Sequence, residues 1–440
     1  MTAEAEVIIH TVTVSDATVS QFGFGIPFIA AFHNYWPDDI KTFSTSDEMT
    51  LAPYNVPTSS ILYRTAQKLK SQNPSPPSFK IGKLTGSYTQ IFTITPRTPL
   101  ANEVFSITLD GSVVTYTAPA SGQTLAALLT AMTASINALT ATIGITASSD
   151  ASKITCTASV AGTFHVIGDP TANLTIADTT ALSATTPATD LARLRAIDGD
   201  WYGLILAVPG KAAAANAAGW AETTRVLYLA ASADSDIPTS GTSDLATTLK
   251  NLTYHRSSVW AHPNSADCID AAIFGALLPK LPGPITFANK GLAGVEMQAY
   301  DDGSRGYIKA KKANCYQVIK GLGFTLWGWA ASGRFLDVMV AVDWFDVGIT
   351  DRIVLLLRNN DVVPYTDKGI ETVRAQVAGQ IQDGIGLGII DGAQPWGVTA
   401  PKVAEISPTD KASRVLPNIR YTYTLSGAIH SVKVIGVVKV

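Results

Sequence analysis

At 440 residues and 46.3 kDa the chain exceeds one compact domain, and roughly two to four are expected. Hydrophobic residues make up 46% and charged residues 15%, so large cores are available but little charge is left to keep a lone subunit soluble. A net charge of −3 argues against a dedicated nucleic-acid binder, and the apolar content excludes disorder as the main state.

The opening stretch, Met1 to Asp16, lacks the basic and apolar regions of a secretory signal, which argues against export by signal peptide and predicts synthesis in the cytoplasm. Within it Val7-Ile8-Ile9-His10-Thr11-Val12-Thr13-Val14 reads as an isolated strand. Ser59 to Leu69 has apolar spacing near the helical period and ends before Asn73-Pro74-Ser75-Pro76-Pro77, where proline cannot continue a helix. Phe79 to Lys83 reads as a short strand.

Between 87 and 197 the composition changes. Of these 111 residues, 23 are threonine and only 10 are charged. Alternating strand patterns at 91–94, 103–109, 113–116, 154–157 and 164–166 surround one helix, near 125–140. This section reads as a small β-domain set into another fold. From Asp198 strands and helices alternate (strands at 204–208, 226–229 and 259–261; helices near 212–223, 244–252 and 266–278), which predicts an α/β layer structure with a partly parallel sheet. Asp367–Gln382 reads as a helix with Ile370, Val373, Val377 and Ile381 on one stripe. In the tail, Arg420–Ser426 alternates Tyr421, Tyr423 and Leu425 against polar residues, and Ile429 to Val440 reads as a second strand that needs an edge to pair with.

No motif asks for enzymatic chemistry. Gly210-Lys211 lacks the spacing and the hydroxyl of a phosphate-binding loop, Ala212 standing in its place. Neither Gly321-Leu322-Gly323 nor 384–388 supplies a dinucleotide fingerprint. His255, His262 and Asp267 lack metal-site spacing, and Asp301-Asp302-Gly303-Ser304 lacks the later acids of a calcium loop. The 13 residues from Gly321 to Gly333 are too few to cross a bilayer. Three dispersed cysteines, Cys156, Cys268 and Cys315, form no CxxC pair, so neither a cysteine zinc site nor an intramolecular disulfide framework is expected. No cofactor or metal is expected.

Several stretches in this order, Ala66 to Pro77 leading to Phe79-Lys80-Ile81-Gly82, Asp200-Trp201-Tyr202-Gly203-Leu204, Gly321–Gly333 with Phe335-Leu336-Asp337, Val363 to Ile370, and the β-rich tail, resemble the contractile tail sheath proteins of myovirus-type phages, in the branch carrying an inserted β-domain. The resemblance covers nearly the whole chain, with the insertion its least specific part.

It implies an α/β (α+β) multidomain fold: an N-terminal strand arm (1–20), a sheath body in two parts (21–86 and 198–405), an external threonine-rich insertion (87–197) and a C-terminal strand arm (406–440). It also implies a structural subunit of the virion, assembled in the host cytoplasm into stacked hexameric rings that contract without nucleotide hydrolysis. The expected partners are further copies of itself, the tail tube protein, and baseplate and tail-terminator proteins, with no direct nucleic-acid contact and no membrane insertion. The arms would add strands to neighbouring subunits through Val7, Ile8, Ile9, Val12 and Val14 at one end and Tyr421, Tyr423, Leu425, Val432, Val434, Val437 and Val440 at the other. Residues 1–60 carry a net −6 and residues 401–440 a net +4, which would steer head-to-tail contacts. Lys368, Glu371, Arg374 and Gln382 are candidates for a tube-facing helix surface. An odd cysteine count makes Cys156, Cys268 and Cys315 candidates for bonds between subunits. The rivals are a hydrolase-like enzyme with an inserted β-domain, which would need a concave site with perturbed titratable groups, and another virion protein or an adhesin.

Overall fold

The computed structural model describes residues 23–433 apart from 34, 59, 86–88, 122, 164, 169, 181–185 and 209. The strand expected over Val7–Val14, and Val434, Val437 and Val440, lie outside the described residues. The body is built on an eight-stranded sheet in the order Leu322–Leu326, Asn314–Ile319, Ser257–Ala261, Leu227–Ser232, Gly203–Leu206, Pro27–Phe32, Phe79–Leu84, Ile40–Phe43. The inner six strands run parallel and the two outermost pair antiparallel.

Parallel strands need crossovers, and crossover helices cover both faces of the sheet. Its central strands are therefore buried throughout, as in Gly203–Leu206 and Ser257–Ala261. One face packs on Ile61–Lys70 and Ile269–Leu277, with Trp260, Phe79 and Phe274 at the centre. The other packs on Pro187–Ile197, Lys211–Glu222 and Leu245–Asn251 around Phe28, Trp201 and Tyr228. Helix Ile61–Lys70 starts where Ser60 accepts a hydrogen bond from the Tyr63 amide. Its neighbour comes so close that a Cβ on Gly275 would lie 2.2 Å from the Leu69 carbonyl oxygen.

Between Phe79–Leu84 and Pro187–Ile197 the chain forms a unit with its own core. A four-stranded antiparallel sheet (Leu174–Asp178, Ile91–Pro96, Ile154–Ala158, Ile145–Ser149) and a three-stranded one (Ser112–Thr117, Val104–Leu109, Ile167–Gly168) enclose helix Leu125–Ala138. The boundary expected at 197 is corrected. Helix Pro187–Ile197 buries Leu191 and Leu194 in the body core, so it belongs to the body rather than to the insertion. Ser265 of the body fastens the unit by accepting from the Ile167 amide at 3.1 Å and donating to its carbonyl at 2.7 Å.

The C-terminal part is a third unit. Helix Leu336–Asn359, 24 residues long, packs on Asp367–Gly386, and a ribbon of Gly397–Thr399 and Arg420–Thr422 lies against the pair. The single body zone expected over 198–405 therefore divides near 336. The terminal arm expected from 406 is also revised: residues up to about 425 pack on this unit. Arg420–Thr422 is a short strand whose partner is in the same chain, and no strand is found at Ile429–Lys433.

Candidate functional site

Three features of the C-terminal unit bear on function: its lock to the body, its exposed helix surface, and its open ribbon. The lock is a buried polar triad. Asp343, 2% exposed, accepts from the Tyr202 hydroxyl at 2.7 Å and from two Arg256 nitrogens at 2.6 and 2.8 Å. Burial, and then the Asp343 charge, pushes the Tyr202 phenol far up, so it stays a hydrogen-bond donor. Arg225 adds an outer ion pair with Asp346 one turn along. A buried carboxylate held by a two-pronged guanidinium fixes orientation as well as proximity, so the long helix and the sheet move as one body.

The second helix presents Lys368, Glu371 and Gln382 to solvent, and at 3.6 residues per turn these share one face. Arg374 is half-buried. Its Nε reaches both Glu371 oxygens at 2.8 and 2.7 Å, and it also donates to the Val398 carbonyl at 3.3 Å. The helices meet at Gly348, where an added Cβ would strike the Gln380 amide. Arg352 bonds Gln380 at 3.0 Å and pairs with Asp383. Beyond this crossing the packing thins: Val354, Leu357 and Val362 are exposed, and an open cleft of about 560 Å³ separates the helices, with Phe24 at one side.

In the ribbon, Val398 pairs with Tyr421 and no third strand flanks either edge among the described residues. Tyr421 and Tyr423 stack at 6.0 Å and lean on Phe345, and Leu425 bridges to Ile390. These three residues are thus engaged within their own subunit. Val432 is exposed.

The cysteine expectation is corrected. Cys156, Cys268 and Cys315 are all buried in separate places, at most 4% exposed, and burial pushes each thiol up to about 12. Their burial keeps them from the subunit surface, and the raised thiols disfavour the reactive thiolate.

The enzyme reading finds no support in the geometry. A cavity of about 150 Å³ at the seam of insertion and body holds Asp270, raised to about 6 by burial, but also Cys268 and mostly apolar groups, with no paired nucleophile and base. His262 and Asp267 do meet, at 3.4 Å. His262 is nonetheless fully engaged, Nε2 bonding the Glu296 carbonyl at 2.9 Å and Nδ1 accepting from the Asn264 amide. Among the described residues no group of three or more metal-binding side chains occurs, and no helix is long and apolar enough to cross a membrane.

Sequence reasoning missed the long helix and its Asp343 triad. The available signal was Asp337, Asp343 and Asp346 spaced within an otherwise apolar run.

Residues 336–438 match the family described as E217 tail sheath protein gp31-like, C-terminal domain. The whole chain is similar in fold to a subunit of the anti-feeding prophage (AFP) baseplate in contracted state, at 10% identity, 99% of this chain, 98% of that chain and a TM-score of 0.54. It is similar also to a subunit of the AFP helical sheath in contracted state, at 12% identity, 93% and 91% coverage and a TM-score of 0.50. The sheath tail protein from Desulfitobacterium hafniense lies lower, at 10% identity, 92% and 97% coverage and 0.48. A search of curated proteins finds no significant sequence match. The C-terminal unit is thus similar to the C-terminal domain of a tail sheath family, and the chain as a whole shares the fold of these AFP subunits.

Proposed function

We propose that this subunit forms the contractile sheath of a phage tail, as stacked hexameric rings around the tail tube, and that contraction drives the tube through the host envelope. The observation that carries this reading is the two-stranded ribbon whose edges are open among the described residues, in a chain whose two ends are apolar and alternating. An open edge is a template for strands from another chain. Residues Val7–Val14 of one neighbour and 432–440 of another are the strands assigned to it. Each backbone bond nets about 1 kcal/mol, and several per arm repeated around each ring hold the lattice together while bodies slide.

The exposed Lys368, Glu371 and Gln382 face of the second helix is assigned to the tail tube protein, and the insertion to the outer surface. Baseplate and terminator proteins would close the two ends. The work of contraction would come from new contacts between subunits. Relatives in the AFP particle favour a second reading, an injection device of that kind rather than a phage tail. Nuclease-protected DNA in purified particles supports the phage; its absence supports the device.

The assembly claim is tested by expressing the full chain and two truncations, lacking 1–22 or 431–440, and imaging each by negative stain. Tubes are expected from the full chain and dispersed subunits from both truncations. Tubes from both truncations would reject strand exchange.

A further inference from the structure

The described end of the tail is held at one point. Gly427, at φ 65°, turns the backbone away from the ribbon. Ile429 and Val432 then stand 82% and 78% exposed, while His430 between them turns inward. Its Nε2 lies 2.9 Å from Thr286 Oγ1 and 3.9 Å from Asp337 Oδ2. The ring stands edge-on to Phe335, centroids 4.6 Å apart, and the His430 carbonyl accepts from Asn289 Nδ2 at 3.1 Å. Thr286 Oγ1 also accepts from the Ala288 amide at 3.3 Å. Through Thr286, Phe335 and Asp337, His430 ties the tail to the start of helix Leu336–Asn359.

We propose that His430 is the pivot of the C-terminal arm, a releasable clamp that sets how far the arm reaches from its own subunit. The proposal rests on the sheath reading for its purpose but not for its existence. With the clamp closed, the last anchored residue among those described is His430. With it open, the nearest fixed point is Ser426, whose amide bonds the Ile389 carbonyl at 2.9 Å. Release therefore frees residues 427–430, about 13 Å of extended chain. The clamp comprises polar contacts at the surface and one ring contact, enough to fix a root yet separable under tension. A lattice that alters the distance between a subunit and the neighbour holding its arm needs such a change of tether length, because strand pairing at the far end has a fixed register.

The buried native thiols allow a selective probe. Val432→Cys in the full chain, carrying a nitroxide label, is compared with the same protein bearing His430→Ala or Thr286→Val; the second keeps the side-chain volume. Label mobility in the unassembled subunit should rise several-fold in both variants. Unlabelled His430→Ala and Thr286→Val proteins, with Val432 intact, should still form tubes, with the ratio of extended to contracted tubes shifted several-fold. Unchanged mobility would show that no clamp exists, and changed mobility with an unchanged ratio would show that it is not the pivot. If the parent protein forms no tubes, the sheath reading fails while the mobility result still decides the clamp.

Discussion

His33 lies against Trp36 at a tilt of 44°, ring centroids 4.0 Å apart, and neither of its nitrogens has a hydrogen-bond partner among the described residues. Burial, with Lys83 nearby as the smaller cause, lowers its pKa from 6.5 to about 4. The folded protein therefore holds His33 neutral where the unfolded chain would bind a proton. That stability is present above about pH 6.5 and is lost as pH falls toward 4, to a total of about 3 kcal/mol. His33→Phe keeps the ring contact with Trp36 and removes the titration, so urea midpoints should fall less steeply across that window than in the parent. An equal slope would mean that carboxylates elsewhere dominate. The cysteines make a second residue-scale prediction. Ellman's reagent should find almost no thiol in the native subunit and three after denaturation, and non-reducing gels of assembled material should show monomer.

At the scale of elements, the joint between body and C-terminal unit rests on Asp343. Arg256→Ala would leave that carboxylate buried and short of its main partner, at a cost of about 3–5 kcal/mol. Tyr202→Phe removes one hydrogen bond of the same group and should cost only about 1 kcal/mol. Denaturant melts of the two variants give the ratio, and equal losses would show that Asp343 is hydrated rather than locked. The long helix that carries Asp343 was not legible in the sequence. Its run Leu336 to Asn359 is rich in β-branched residues, and its two ends meet different surroundings, the core at one end and solvent at the other, so no single apolar stripe runs its length. Asp367–Gly386, by contrast, keeps Ile370, Val377 and Ile381 on one buried stripe and was readable, short only of its last turn.

Across the whole molecule, alternation of strand and helix pointed correctly to a parallel sheet, because buried parallel strands are short apolar runs that periodicity can find. Boundaries were less legible. Pro187–Ile197 follows the threonine-rich run directly in sequence, and its packing of Leu191 and Leu194 against Phe28 and Trp201 returns it to the body. The tail was read as free strand from Arg420 onward, since alternation shows that a segment is extended but not which edge it takes. The ribbon partner at Gly397–Thr399 is three residues long and carries no strand pattern of its own.

The proposed assembly needs neighbouring subunits to complete the open ribbon. A helical cryo-EM reconstruction of tubes grown from the full chain would show whether they do. The prediction is a sheet in which Gly397–Thr399 and Arg420–Thr422 of one subunit are flanked by strands from the ends of two others. Tubes whose ribbon edges remain unpaired, or are paired only by the subunit's own termini, would contradict it.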